Sequence, residues 1–394
     1  MVQDRVATAD EDDHAGDLAR RDGGGRCFVD AGKIQRLGEG RGGEERDRDE
    51  SEPEDGGGRR VNAVSIHVLI LPPGEPPTVI LHHRGGIDIL GAMHGVRRVF
   101  VTGATGFVGH ALVQRLCAGG HMVRCLVRRG SETALRGQGA IERIEGDILA
   151  RSSLEEGMAG CDAVIHLVGI IREQRGSGAT FERVHVEGTS QVLQAATAVG
   201  IRRYLHMSAL GTRPGATSTY HRTKWTAEEA VRNSGLEWTI FRPSIIYGHG
   251  DGFVTMLASM VRRMPAVVVI GSGRQRLQPI PVDQVAAGFA GALDLPTTIK
   301  QTYEVGGPEP VTMIELLDLI GRALGRRRVL KIHVPVGAVS PFVRLLHPLP
   351  GFPVTPDQLV MLGEDSVCDS RPFFDTFTLD PVPLAVGLER MLAK

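Results

Sequence analysis

The chain is short of cysteine, aromatic residues, net charge and long apolar runs. Its five Cys (Cys27, Cys117, Cys125, Cys161 and Cys368) are scattered with no C-x-x-C pair. That argues against a disulfide framework or a zinc site and for a reducing compartment. Lys+Arg is 45 and Asp+Glu is 46, a formal net charge of -1, so charge gives no case for a nucleic-acid partner. No apolar run reaches the roughly 18 residues of a membrane-spanning helix. The opening MVQDRVATADEDD is acidic and lacks the apolar stretch of a secretory signal. The expectation is a cytoplasmic protein of the α/β class.

Charge is unevenly spread. Residues 1 to 60 hold 17 acidic and 11 basic residues with 12 Gly, which leaves 29 acidic and 34 basic for the remainder. The tract GEGRGGEERDRDESEPEDGGGRR has little to bury and cannot offset the entropy of folding, so it reads as disordered. A β-like run, VNAVSIHVLIL, is cut off by PPGEPP and reads as a stray strand without a visible partner. A globular pattern starts abruptly at Met93. Residues 1–92 are therefore read as a disordered extension or as a mis-assigned start.

From Met93 strands and helices alternate. RRVFVT (97–102), MVRCLV (122–127), IERIEG (141–146), DAVIHLVG (162–169), RRYLHMS (202–208) and EWTIFRP (237–243) read as strands. Helical spacing runs over 107–118, 152–158 and 181–199, and again from near Tyr220. This rhythm means βαβ units and a parallel sheet covered on both faces, a Rossmann-type doubly wound domain. We place that domain at 93–250, with 276–300 returning to it, and a smaller C-terminal substrate or partner domain mainly over 251–394.

Gly103-Ala104-Thr105-Gly106-Phe107-Val108-Gly109 follows a strand and opens a helix. Gly103 permits a tight turn, Gly106 a close approach to a pyrophosphate, and Gly109 close helix–strand packing. The helix N-terminus offers N–H groups to the anion. An NAD site usually carries an acid after the second strand; here Arg128 and Arg129 stand there. Guanidinium groups suit a 2′-phosphate, so NADP(H) is favoured over NAD(H). Asp147, in EGDI, either bonds the adenine amino group or caps the following turn.

Tyr220 and Lys224 are spaced i, i+4 at a helix start, on one face and about 6 Å apart along the axis. A cation there favours phenolate and brings the tyrosine toward a working pKa. Lys224 is also placed to bond the nicotinamide ribose. Ser208 ends a strand, where it can hold a substrate oxygen.

Taken in order, these motifs resemble the extended or atypical branch of the short-chain dehydrogenase/reductase superfamily, that is, NAD-dependent epimerase/dehydratase-like proteins. TGATGFVG, GDI, HLVG, HVEGT, Ser208 with Tyr220 and Lys224, and RPSIIYG carry the resemblance. HLVGIIRE, TFERVHVEGT, YHRTKW, EWTIFRPSIIYG, RLQPIPVDQVA and MLGEDSVCD are similar, more narrowly, to bacterial relatives of the NAD(P)H-binding alpha-subcomplex subunit 9 of respiratory complex I. The likeness covers about 300 residues and omits the first 92. It implies Ser208, Tyr220 and Lys224 as the catalytic set. It implies a cofactor site of Gly103, Thr105, Gly106, Phe107, Val108, Gly109, Arg128, Arg129, Asp147, Ile148, Leu167, Val168, Gly169, Tyr220, Lys224 and Pro243. Many extended members carry Asn in the helix after the fourth strand, where this chain has His185, a departure that questions the usual proton relay.

Three functions follow as expectations. The first is hydride transfer on a carbonyl or hydroxyl substrate, small or quinone- or lipid-like. The others are a non-catalytic accessory or assembly subunit of a respiratory NADH:quinone oxidoreductase, and a sugar-nucleotide epimerase or dehydratase. His166 and His206 read as packing residues, since no metal-ligand spacing exists. Arg276 lies where epimerases grip a phosphate, although a salt bridge is the commoner fate. Residues 169–180 read as a flexible lid. The apolar tail over 342–352 reads first as core packing, then as a substrate wall, a partner face or a peripheral contact at the inner membrane face.

Overall fold

The computed structural model describes residues 97–394 except 132–134, 136–140, 175, 177, 348–353 and 394, and five backbone strands before them. The chain divides into two units, Met1–Gly95 and Val96–Lys394. In the first, β1 (Ala19–Arg21) pairs antiparallel with β2 (Cys27–Val29). The run read as a stray strand is β3 (Ser65–Leu69). Its partner is the segment after the prolines, β4 (Thr78–His83), which pairs in turn with β5 (Gly86–Ala92). The rest of the 1–92 extension, with the disorder expected of it, lies outside the described residues.

The second unit is built on a seven-stranded parallel sheet. Its strands are β6 (Arg98–Thr102), β7 (Met122–Val127), β8 (Ile141–Glu145), β9 (Ala163–His166), β10 (Arg203–Met207), β11 (Glu237–Pro243) and β16 (Gln301–Val305), in the order β16-β11-β10-β9-β6-β7-β8. The order reverses between β6 and β9, and ligands of such sheets sit beyond the strand ends at that crevice. In β6, Val99 and Val101 enter one core and Phe100 the other, all fully buried. A strand buried on both faces has to be continuously apolar.

One face is covered by α1 (Phe107–Ala118) and α6 (Val282–Asp294), the other by α2 (Arg151–Met158), α3 (Gly188–Ala198) and α4 (Thr219–Arg232). The helix expected over 181–199 is interrupted, opening with a π-helical turn at Glu182–Glu187 before α3. A third core, containing Leu257, Val261, Val267, Leu316, Ile320 and Leu388, belongs to a smaller lobe. That lobe contains α5 (Val254–Arg263), the parallel ribbon of β13 (Ala266–Ile270) with β18 (Leu330–Val334), α7 (Met313–Ala323) and α11 (Leu384–Leu392). Two short pairs complete the described strands, β12 (Ile246–Tyr247) with β15 (Ile280–Pro281) and β14 (Arg276–Leu277) with β17 (Val311–Thr312). Late segments return to the large sheet beyond the expected 276–300. They are β16 and α10 (Arg371–Phe377), whose Phe373 and Phe374 lie in the same core as Val99 and Leu112.

Candidate functional site

The site is assembled at the strand ends around β6, β9 and β10. Gly103 leaves β6 at φ +78°, and a Cβ there would sit 3.1 Å from the Val168 nitrogen, against the end of β9. A Cβ on Gly109 would press into the backbone of the same turn, 2.6 Å from the Ala104 oxygen. Only glycine lets α1 approach so closely. Gly106 caps α1 with no side-chain bond to its first amides, so those N–H groups and the positive helix end are presented at the crevice. Thr105 and Phe107 are half-buried beside them and Val108 is buried. This cradle fits a pyrophosphate.

The remaining expected cofactor residues are divided. Leu167 is buried, and Val168 and Gly169 follow β9 at the mouth. Arg128 and Arg129 lie exposed beyond β7, with Arg129 Nε bonded to Glu145 at 3.0 Å. Asp147 Oδ1 accepts from the Leu149 nitrogen at 2.9 Å, the turn-capping option, while Ile148 packs into the core. Pro243 is buried, its carbonyl accepting from the Leu210 nitrogen.

Tyr220 and Lys224 stand on the first turns of α4. Lys224 is 2% exposed, and its Nζ donates to the Met207 carbonyl at 3.0 Å. A Cβ on Gly169 would come within 2.9 Å of that ammonium, so Gly169 leaves it an opening. Burial brings Lys224 down to about 8, with Glu228 opposing. Tyr220 runs against expectation. Burial pushes its hydroxyl up to about 12, with no resolved lowering from Lys224. Its ring is enclosed edge-on by Phe181, His185 and His221 at 5.9, 5.3 and 5.3 Å. The phenol is therefore a neutral acid rather than a poised phenolate. Ser208 is buried beside Met207, its hydroxyl making only a long 3.4 Å bond to Thr212.

His185 projects from the π-helical turn. The Ile170 N–H donates to its Nε2 at 3.1 Å, so Nδ1 carries the hydrogen and donates to Thr223 Oγ1 at 2.9 Å. Thr223 passes its own hydrogen to the carbonyl of Thr219 or Tyr220. Burial takes His185 down to about 2. With both nitrogens engaged, it ties the 169–180 loop to α4. That loop is held rather than open. Gln174 and Ala179 exchange backbone bonds, Glu173 accepts from the Phe181 nitrogen, and Arg172 donates to the His347 carbonyl.

A residue without any local signal completes the site. Asp357, on α9 (Pro356–Leu362), accepts from the backbone nitrogens of Thr219 and Tyr220 at 2.7 and 3.0 Å. It supplies α4 with a carboxylate cap 137 residues downstream of the tyrosine. Beneath the site His166 bonds Thr102 and Thr189 and stacks on His206, whose nitrogens have no partner among the described residues. Among the described residues no group of three His, Cys, Asp or Glu is placed to hold a metal, and no helix is long and apolar enough to cross a membrane. Arg276 is engaged, its Nε and backbone nitrogen each bonding the Asp365 carboxylate at 2.8 Å.

Sheet order, glycine cradle and the Ser–Tyr–Lys set define the nicotinamide-dinucleotide-binding class of short-chain dehydrogenase/reductase folds. The chain belongs to the NAD dependent epimerase/dehydratase family, whose model matches residues 99–306, more than half of it. It is 26% identical over 81% of its length to the mitochondrial NADH-ubiquinone oxidoreductase 40 kDa subunit of Neurospora crassa, spanning 83% of that protein. It is 35% identical over 56% to the mitochondrial NADH dehydrogenase [ubiquinone] 1 alpha subcomplex subunit 9 of Arabidopsis thaliana, spanning 56% of it. A Caulobacter vibrioides ceramide reductase is 34% identical over 48% of the chain, with 58% of that protein spanned. Among solved structures, Bacillus cereus UDP-glucuronic acid 4-epimerase, in complex with UDP-glucuronic acid and NAD, shares the fold at a TM-score of 0.59 and 20% identity, covering 75% of this chain and 98% of that one.

Proposed function

We propose that this chain is an NAD(P)-dependent oxidoreductase acting on a hydroxyl or carbonyl group, with Tyr220 as the proton donor or acceptor. The observation that carries this is the buried Lys224 ammonium, held at the Met207 carbonyl and set against the side-chain-free face of Gly169. A buried cation is costly to keep without a ligand to bind. Gly103, Gly106 and Gly109 hold the pyrophosphate, and Lys224 bonds the nicotinamide ribose. Nicotinamide bound there supplies or accepts the hydride. Ser208 orients the substrate oxygen, and the neutral phenol of Tyr220 donates its proton to that oxygen in the reductive direction. Arg128, exposed after β7, favours the 2′-phosphate of NADP(H) over NAD(H). The Asp365 pairing of Arg276 speaks against a sugar-nucleotide phosphate grip.

A second reading has its own support, the match along 83% of a respiratory 40 kDa subunit. In it the same site holds nucleotide without turnover, within or alongside a respiratory complex. Stopped-flow and steady-state assays with NADPH, NADH and a panel of lipid and small carbonyl compounds separate the two. Under the catalytic reading, Tyr220→Phe lowers turnover on the order of a hundredfold or more while nucleotide affinity is kept. Turnover unchanged by that substitution removes Tyr220 from the chemistry. Nucleotide that stays reduced against every carbonyl, in a protein that co-purifies with respiratory complexes, establishes the accessory role.

A further inference from the structure

The smaller lobe exposes an apolar surface with a basic rim. In the parallel ribbon β13–β18 the register pairs Ala266 with Leu330, Val268 with Ile332 and Ile270 with Val334. Alternation along a strand puts these six on one face, while Val267 and Val269 point into the lobe's core. The outer face is open, with Val268 44%, Leu330 53% and Ile332 54% exposed. It continues into α8 (Val336–Leu346), an apolar helix in which Val343 is the one buried residue. Val336 lies against Gly271 at the ribbon's end, and Phe342 and Leu345 are 64% and 74% exposed.

The unpaired charges flanking this face are basic, Lys331 of the ribbon being matched by Asp318 and Arg276 by Asp365. No Asp or Glu occurs over residues 252–282 or 319–356, which together carry ten Lys and Arg. Because the strands are parallel and in register, Arg262 and Arg263 before β13 and Arg327 and Arg328 before β18 meet at the same end of the ribbon. Arg326 confirms the meeting by donating to the carbonyl of Arg262 at 2.7 Å. All four flanking arginines are exposed, as is Arg344 on α8.

We propose that this face docks on an anionic lipid bilayer, the aliphatic side chains entering the headgroup region and the arginines pairing with lipid phosphates. The assignment is independent of the nucleotide chemistry. A second copy of the chain is disfavoured, because it would bring an identical positive rim against the first. A specific protein partner is disfavoured, because none of the six outward side chains of the ribbon can hydrogen-bond, whereas protein interfaces carry such bonds regularly. An apolar face with a basic border is the composition that binds anionic interfaces. The docked lobe is also joined to the reaction site. His347, just after α8, receives Arg172 of the 169–180 loop, and Asp357 caps the helix of Tyr220.

Flotation of the full chain with phosphatidylcholine vesicles, and with vesicles that also contain phosphatidylglycerol, tests the proposal. The expected result is recovery with the anionic vesicles only. Arg327→Glu with Arg328→Glu weakens it on the order of tenfold per reversed charge, and the separate pair Ile332→Glu with Leu345→Glu, which puts carboxylates on the apolar face, weakens it too. Retention of the wild-type circular dichroism spectrum shows that each variant is folded. Failure to bind either vesicle, equal binding to both, or binding indifferent to these variants overturns the proposal. So does a wild-type dimer that Ile332→Glu converts to monomer, which makes the face a protein interface.

Discussion

At Tyr220 two influences oppose each other. A neighbouring ammonium favours phenolate, but a ring walled in by Phe181, His185 and His221 loses the water that would stabilise the anion. Burial wins, and the hydroxyl rises to about 12. The same burial acts in the other direction on Lys224, which falls to about 8. The residue that titrates near neutral pH is therefore the lysine. Under the proposed chemistry turnover should therefore fall as pH rises through about 8 and the ammonium is lost, whereas the tyrosine stays protonated. Lys224→Arg, which keeps its charge, should abolish this alkaline limb in a pH–rate profile at lower overall activity. A limb that persists in the arginine variant assigns it to another group. The i, i+4 spacing was enough to place these two residues on one face. It held no information about two of the walls around the ring, Phe181 and His185, which come from a helical segment distant in sequence, and so the direction of the shift was not legible.

Among the elements, α4 depends on a remote cap. Ser218 satisfies the His221 nitrogen, and Asp357 takes the two amides that Ser218 does not reach. A carboxylate at a helix N-terminus opposes the helix dipole, so Asp357→Ala should cost about 0.5–2 kcal/mol. Denaturant titration measures this. The substitution also frees the turn that holds Tyr220, so turnover falls while nucleotide affinity, set by α1, changes little. Equal losses in both would mean that Asp357 only supports the fold. Sequence displayed α1, its glycine turn and the alternation of β6 to β11, because each is a local pattern. It displayed neither the Asp357 cap nor the π-helical turn at Glu182–Glu187, which 3.6-residue spacing reads as ordinary helix. The ring of His185 explains the second omission. Its inward placement depends on bonds to Ile170 and Thr223 from two other segments.

For the molecule as a whole, four buried histidines set an acid limit. Burial lowers His166 to about 3, His185 to about 2, His206 well below its ordinary value, and His221 as well. Unfolded, each binds a proton near pH 6.5; folded, each refuses it. Their contribution is complete above that pH and is lost as pH falls below it, at about 1 kcal/mol per pH unit for each histidine. The urea midpoint should drop steeply between about pH 6.5 and about pH 4.5. His206→Leu, which removes an unpartnered ring, should reduce the slope by about a quarter. A midpoint flat across this window would show that these rings are protonated in the folded protein.

Core packing also dictates the order in which the molecule is made. Phe373 and Phe374, near the end of the chain, share a core with Val99 and Leu112 at the start of the second unit. One edge strand of the sheet arrives only at Gln301–Val305, and the cap of the Tyr220 helix only at Asp357. A chain still emerging from the ribosome has its glycine turn early, but an unsealed core and an uncapped Tyr220 helix until its last segments are added. A protein shortened by thirty residues at its C-terminus loses the aromatic plug of the large sheet's core along with its own tail.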